Sequence, residues 1–77
     1  MWRPPKELQK QLNVFGAQLQ QLREKRGWSQ DFIADKIGVS QAYISQLEMG
    51  VRAPSFATQA ALAKAFGMKR EKFMEGV

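Results

Sequence analysis

The chain has 77 residues, 44% of them apolar and 25% charged, and its 12 Lys and Arg against seven Asp and Glu give a net charge of +5 at pH 7. This length fits one domain, and the absence of Cys and His excludes disulfides, zinc fingers and imidazole or thiol catalysis. No apolar run approaches the ~20 residues that span a bilayer and no signal peptide is evident. We therefore expect a cytoplasmic protein whose positive charge favours a polyanionic partner.

The first predicted element is a helix with one apolar stripe. Apolar residues recur at spacings of 4, 3, 4 and 3, at Leu8, Leu12, Phe15, Leu19 and Leu22, which is the periodicity of an amphipathic helix. The helix begins either directly after Pro5, with Gly16 inside it at a cost of about 1 kcal/mol, or at Asn13, which can serve as an N-cap. Residues 1–12 are an N-terminal extension of the domain at 13–77, and in the first case they continue its first helix.

Four further helices are predicted from alternating stop and start signals. Glycine is enriched just after helix C-termini, and glycines stand at positions 27, 38, 50, 67 and 76. Serine is a preferred N-cap, and serines follow three of these glycines, at Ser29, Ser40 and Ser55. The helices are predicted over about residues 30–37, 41–48, 56–66 and 69–75, without any strand pattern. The sequence therefore predicts an all-α fold.

The segment from Ser29 to Gly50 contains the most informative pattern. It reads SQDFIADKIGVSQAYISQLEMG, in which two short helices are joined by a turn containing Gly38, the arrangement of a helix-turn-helix. Here the chain resembles the phage repressor/Cro-like helix-turn-helix family. The matching segments are FGAQLQQLREKRG at 15–27, WSQDFIADKIGVSQAYISQLEMG at 28–50 and PSFATQAALAKAFG at 54–67. The resemblance implies a compact five-helix lambda-repressor-like DNA-binding domain, with the helix-turn-helix at about residues 29–48.

The third predicted helix has a polar face that can read bases. Glutamine hydrogen-bonds the N6 and N7 edge of adenine, an alanine methyl can touch the thymine methyl, and a helix fits the major groove. On its own, such a face is more simply an ordinary solvated surface. The resemblance reverses this preference, because it implies that the base-reading positions are occupied by Gln41, Ala42, Ser45 and Gln46.

The same resemblance implies contacts with the DNA backbone, which fix the register without carrying sequence information directly. The N-terminus of the second helix points at a phosphate in this family, so Gln30 and the neighbouring amide groups are expected to grip it. Further candidates for contact with sugar and phosphate are Ser40, Tyr43 and Arg52. The ring of Tyr43 could equally pack on the second helix.

Two expectations about packing also follow from the resemblance. Arg23 and Glu48 match a pair that is ion-paired in many members of the family, which would tie the third helix to the scaffold; the alternative is two independent surface charges. Phe32 stands at a position that is usually polar in the family. We therefore expect the N-terminal extension to cover this aromatic side chain through Trp2 or Leu8.

We predict a sequence-specific regulator that binds double-stranded DNA and represses transcription by occupying an operator. Operators usually have two half-sites about 34 Å apart, so we expect a homodimer. Its interface is expected either at Met68, Phe73 and Met74 or at the N-terminal extension with Trp2 and Leu8. The alternative is an antitoxin or another partner-binding module that uses the same fold and autoregulates its operon. The residues supply no constellation for an enzyme, a metal or a cofactor and no aromatic platform for RNA. A membrane is not expected as a partner.

Overall fold

The structure, a computed structural model, describes residues 3–75. No strand occurs in that part of the chain, which forms five helices: α1 (Lys6–Lys25), α2 (Gln30–Ile37), α3 (Gln41–Glu48), α4 (Phe56–Ala65) and α5 (Arg70–Phe73). The predicted all-α fold with five helices is confirmed. α1 is one helix of 20 residues that runs through Asn13 and Gly16, so the first helix begins after Pro5 and does not restart at Asn13.

Serine caps begin the three central helices at the predicted positions. The hydroxyl oxygens of Ser29, Ser40 and Ser55 each accept a hydrogen bond from the backbone N–H three residues further on. These bonds satisfy donors that the first turn of a helix leaves unpaired. α5 has no side-chain cap at Lys69 and covers only four residues, instead of the predicted 69–75. Like α1, α5 begins without the side-chain cap that α2, α3 and α4 have.

The core is formed by one apolar face from each helix. Its completely or almost completely buried large side chains are Phe15, Leu19, Ile33, Ile44, Leu47, Leu62, Phe66 and Phe73. Aromatic rings stack through this core: Trp28 lies on Phe66 with ring centroids 5.3 Å apart. Phe66 in turn lies on Phe73 at 5.9 Å, and Phe73 meets the ring of Phe15 edge-on at 5.7 Å. The aromatic stack joins α1, α4 and α5 to the residues that lead into α2.

Phe73 belongs to this core, which corrects the prediction that it lies in a dimer interface. Its side chain is fully buried, and its backbone carbonyl accepts a hydrogen bond from Gln18 Nε2. Met68 and Met74 are half-buried and pack against the same cluster. A domain of this length can bury only a limited apolar area. The Phe73 side chain of α5 is therefore needed to complete the core of its own domain.

Phe32 is covered differently from the sequence-based expectation. Its side chain is 47% exposed and packs against Trp28, with ring centroids 5.1 Å apart. Leu8 does not cover it, because α1 is continuous and carries Leu8 to a cavity of about 220 Å³ that is also lined by Pro54 and Met74. The other candidate, Trp2, lies outside the described residues.

Candidate nucleic-acid interface

The turn between α2 and α3 sets the direction of the third helix. The C-cap of α2 is Gly38, whose φ of 77° is in the left-handed region that glycine adopts without a Cβ clash. Val39 N–H then donates to the carbonyl of Ala34 at 2.9 Å, which closes the end of α2. Ile44 and Leu47 are completely buried, so the inner face of α3 packs in the core.

The opposite face of α3 brings the four predicted base-reading residues together. They lie at helix positions i, i+1, i+4 and i+5, which share one side of a helix. Gln41 and Ala42 are exposed, and Ser45 and Gln46 are half-exposed. The only charged residue of α3 is Glu48, and its side chain is 5% exposed. The outward face therefore presents neutral hydrogen-bonding groups and a methyl group.

Arg23 and Glu48 form a bidentate ion pair between α1 and α3. Arg23 Nε donates to Glu48 Oε2 at 2.7 Å and Arg23 Nη2 donates to Glu48 Oε1 at 3.0 Å, with the two side chains 11% and 5% exposed. The hydrogen bond to Glu48 raises the pKa of the Arg23 guanidinium above its usual value. Arg23 Nη1 also donates to the carbonyl of Trp28 at 2.8 Å. The alternative of two independent surface charges does not describe this geometry.

A hydrogen-bonded chain continues from this ion pair to the outward face of α3. Gln30 Nε2 donates to Glu48 Oε1 at 3.0 Å, and Gln41 Nε2 donates to Gln30 Oε1 at 2.6 Å. Gln30 therefore uses both ends of its amide inside the protein, whereas the sequence suggested a phosphate contact only. No local pattern reveals this chain, because its members lie on three different helices.

The other three predicted backbone-contacting residues lie near the start of α3 and in the segment that follows it. Ser40 is the N-cap of α3. The hydroxyl of Tyr43 is 3.1 Å from Thr58 Oγ1 in α4, so the Tyr43 side chain is hydrogen-bonded to α4. The guanidinium carbon of Arg52 lies 5.3 Å from the centroid of the Tyr43 ring, and Arg52 Nη1 donates to Gln46 Oε1 at 3.1 Å.

These side chains line one open cavity of about 480 Å³. Ser40, Tyr43 and Thr58 contribute hydroxyl groups, and Arg52 contributes a positive charge. Hydroxyl and guanidinium groups are the common donors to phosphate and sugar oxygens in protein–DNA complexes. Thr58 was not among the sequence-based candidates, although its place three residues after the Ser55 cap fixes it at the first turn of α4.

The helix-turn-helix family HTH_3 matches residues 19–73 of this chain. The chain belongs to the HTH_3 family. The matched range of this HTH_3 domain covers the whole of α2 to α5 and the part of α1 that carries Arg23. The predicted resemblance to the phage repressor/Cro-like proteins is thereby confirmed.

Several known proteins are similar to this HTH_3 domain. The crystal structure of the restriction-modification controller protein C.AhdI from Aeromonas hydrophila superposes with a TM-score of 0.76 and 31% identity, covering 80% of this chain and 94% of that one. The uncharacterized HTH-type transcriptional regulator y4dJ of Sinorhizobium fredii is 38% identical over 55 residues, which are 71% of each chain. The HTH-type transcriptional regulator SutR of Escherichia coli is 45% identical over 40 residues, 52% of this chain but only 22% of SutR.

The described part of this HTH_3 domain has neither a membrane-spanning helix nor a cluster of metal ligands. Within residues 3–75, no helix is both long and apolar enough to cross a membrane. No three His, Cys, Asp or Glu side chains of that range lie together as a metal site would require. The polar face of α3, with its hydrogen-bonded support, is accordingly the candidate site that the described residues present.

Proposed function

We propose that this HTH_3 domain is a transcriptional regulator that binds double-stranded DNA sequence-specifically, with α3 in the major groove. Membership of the family supports DNA binding, and the similarity to SutR, y4dJ and C.AhdI supports a regulatory role. We further propose that it acts as a repressor, in the cytoplasm, by occupying an operator. None of these relatives is an enzyme by its name, and the proposed activity needs no cofactor.

The single observation that carries the proposal is the uncharged outward face of α3. Base edges in the major groove offer hydrogen-bond donors, acceptors and the thymine methyl. Gln41, Ser45, Gln46 and Ala42 offer the complementary groups on one side of an eight-residue helix. The ion pair between Arg23 and Glu48 fixes this helix against α1, and a reading helix must be held rigidly in order to discriminate between bases.

The proposed backbone contacts surround this face. Arg52, Tyr43, Ser40 and Thr58 line one cavity, where a phosphate and its sugar would meet a guanidinium and three hydroxyl groups. One N–H of the Gln30 amide is not needed for its bond to Glu48, because a primary amide has two N–H donors. We propose that this second N–H of Gln30 donates to a phosphate.

We also propose that two copies bind the two halves of an operator. Two of the sequence-based interface candidates, Leu8 and Met74, line the same cavity beside Pro54. The two candidate interfaces, one in the N-terminal extension and one near α5, therefore meet in one surface. Phe73 no longer belongs to this set, because it is buried. Sedimentation of the full chain with and without an operator duplex measures whether two copies assemble.

The function is tested by measuring fluorescence anisotropy with DNA from upstream of the gene that encodes this chain. A scrambled duplex serves as the competitor at two salt concentrations. We expect a preference of about 10³-fold or more for the upstream duplex, reduced about tenfold or more in Gln41→Ala and in Gln46→Ala. Gln21→Ala on the exposed side of α1 is the matched control and should keep the preference. Equal, steeply salt-dependent binding to both duplexes would contradict the proposal and favour a partner-binding module such as an antitoxin.

A further inference from the structure

A row of aromatic rings runs from the core to the surface and ends at Phe32. Trp28 stacks on Phe66, with ring centroids 5.3 Å apart and ring planes 17° apart, so one face of the indole packs on the core. Phe32 packs against Trp28 at a centroid distance of 5.1 Å, and its own side chain is 47% exposed. The outer side of the Phe32 ring is therefore open to solvent, and aromatic side chains are enriched at the centres of protein–protein interfaces.

Two basic side chains lie beside these rings. Lys36 Nζ is 5.7 Å from the ring centroid of Trp28 and 5.8 Å from that of Phe32. The guanidinium carbon of Arg26 lies 5.3 Å from the Trp28 centroid, and Arg26 Nη2 donates to the carbonyl of Phe66 at 2.8 Å. Attraction to the rings holds both cations at the aromatic surface. Within residues 3–75 neither of them forms an ion pair, so both can meet carboxylates of a partner.

The aromatic pair continues into a groove between α2 and α4. The groove has a volume of about 320 Å³ and is lined by Lys36, Ile37, Ala61, Lys64 and Ala65. Its aliphatic lining residues are half-buried, whereas both lysines are exposed, so an apolar floor lies between two cations. We call the rings of Trp28 and Phe32, together with the residues that line this groove, the α2/α4 face.

The α2/α4 face lies on the side of α2 away from the proposed DNA-contacting residue Gln30. A helix turns by about 100° per residue, so Phe32 lies about 200° around the axis from Gln30. The amide of Gln30 bonds to Gln41 of α3, whereas Lys36 faces α4 across the groove. The α2/α4 face is therefore left open when α3 lies in the major groove of DNA.

The charge of the α2/α4 face is positive. It carries Lys36 and Lys64 in the groove, with Arg26 beside the indole. The acidic residues Asp31 and Asp35 of α2 are one turn apart and share the neighbouring side of the helix. Two copies that met symmetrically through this face would bring like charges together, which is unfavourable. An acidic partner complements the face, whereas a second copy of the chain does not.

We propose that the α2/α4 face binds an acidic segment of a protein partner. The segment places an aromatic or aliphatic side chain against Phe32 and its carboxylates against Lys36 and Lys64. The floor of the groove favours a protein over a nucleic acid, because the methyl groups of Ala61 and Ala65 offer no hydrogen bond to a base or a phosphate. This inference goes beyond the proposed function, since it gives a DNA-bound domain a separate surface that holds a second protein.

The test begins with selection of short displayed peptides of random sequence on the full chain. We expect the selected peptides to be rich in Asp and Glu and to contain at least one aromatic or aliphatic residue. In an NMR titration with a synthetic copy of a selected peptide, the largest amide shifts should lie at Phe32, Lys36, Ala61 and Ala65. A selection that yields no peptide or only neutral or basic peptides, or largest shifts within α3, would overturn the inference.

Two charge-reversal variants separate this site from the general positive charge of the chain. Lys36→Glu with Lys64→Glu should weaken binding of the selected peptide about tenfold or more, because both cations would face its carboxylates. Lys6→Glu with Lys10→Glu in α1 changes the net charge by the same amount and should weaken binding by about threefold or less, since charges far from the peptide are screened by salt. Equal effects of the two pairs would mean non-specific attraction and would overturn the proposed site.

The apolar part of the site has its own pair of variants. Phe32→Ser should weaken the selected peptide about tenfold, as loss of an aromatic anchor does at other interfaces. Val51→Ser changes a side chain that is 59% exposed outside the face and should leave the affinity unchanged. Circular dichroism verifies that each variant is folded. An unchanged affinity in folded Phe32→Ser would contradict the role of this ring.

A nucleic acid is the competing occupant, and the same titration distinguishes it. A single-stranded oligonucleotide of mixed sequence that displaces the peptide and shifts the same amides more strongly would assign the face to nucleic acid and overturn the inference. Failure of the peptide experiments leaves the proposed DNA binding standing, because none of these variants changes the outward face of α3. Equal binding to all duplexes would in turn contradict the proposed function without affecting the peptide measurements.

Discussion

Gly16 of α1 lies directly against the backbone of Glu48 at the end of α3. A Cβ at Gly16 would be 2.5 Å from the carbonyl oxygen of Glu48 and 2.6 Å from that of Leu47. Both atoms belong to the backbone of α3, so this helix would have to move as a whole to admit a methyl group. Gly16 therefore sets the distance between α1 and α3.

We expect Gly16→Ala to destabilise the protein although alanine is the better helix former. The helical preference of alanine contributes about 1 kcal/mol, and overpacking of this kind typically costs about 1–3 kcal/mol or more. Urea denaturation should therefore show a net loss of stability, and the folded fraction should bind DNA more weakly. Gly67→Ala is the control, because its Cβ would meet nothing within 4 Å, so only its positive φ should cost stability. Unchanged DNA affinity of folded Gly16→Ala would contradict the role given to this contact.

Arg23→Met should strongly destabilise the fold. It leaves the Glu48 carboxylate, 5% exposed, without its cationic partner, and removing one member of a buried pair typically costs about 3–5 kcal/mol. The double variant Arg23→Met with Glu48→Met removes both charges and should recover most of this loss. Chemical denaturation of the single and double variants measures the difference. A double variant no more stable than Arg23→Met would show that the charge of Glu48 is not the cause.

Tyr43→Phe should lower the free energy of unfolding by about 1 kcal/mol. The hydroxyl of Tyr43 and Thr58 Oγ1 lie 3.1 Å apart and connect α3 with α4. Thr58→Val removes the same bond from the other side, so the two substitutions should be less than additive in a double-mutant cycle. Strictly additive effects in thermal unfolding would mean that this hydrogen bond contributes nothing measurable.

Phe73→Ala should unfold much of the protein at every concentration. Deleting a buried phenylalanine side chain typically costs about 3–5 kcal/mol, a large fraction of the stability of a small domain. Met74→Ala changes a half-buried side chain beside the cavity that Leu8 lines, and it is the variant that should affect self-association. Sedimentation at several concentrations, combined with circular dichroism, separates the two effects. A folded Phe73→Ala that only dissociates dimers would restore Phe73 to an interface.

The helices were predictable because their ends depend on neighbouring residues. The hydroxyls of Ser29, Ser40 and Ser55 cap the three central helices within three residues of themselves, and such local signals are present in the sequence. α5 was predicted too long, since Lys69 offers no cap. The length of α1 could not be decided from its apolar stripe, because both alternatives contain the same stripe.

The contacts between helices were less accessible to sequence reasoning. Periodicity identifies Phe73 as apolar, but it does not show whether the same domain or a second copy covers that side chain. The bond between Gln30 and Gln41 joins residues eleven positions apart on different helices, and only the packing angle of α2 on α3 brings their amides together. The pairing of Arg23 with Glu48 was accessible through the family resemblance, since no local rule connects residues so far apart.

The stacking of Trp28 on Phe66, with ring centroids 5.3 Å apart, gives the protein an optical probe. The indole is half-buried and lies within 6 Å of the charged groups of Arg26 and Lys36, so unfolding must change its surroundings and its emission. The sequence has two tryptophans, and replacing Trp2 with Phe leaves Trp28 as the sole tryptophan, which can be excited selectively at about 295 nm or above. Because Trp28 is not one of the proposed DNA-contacting residues, its fluorescence can follow the folding of every variant described above, including those with altered DNA binding.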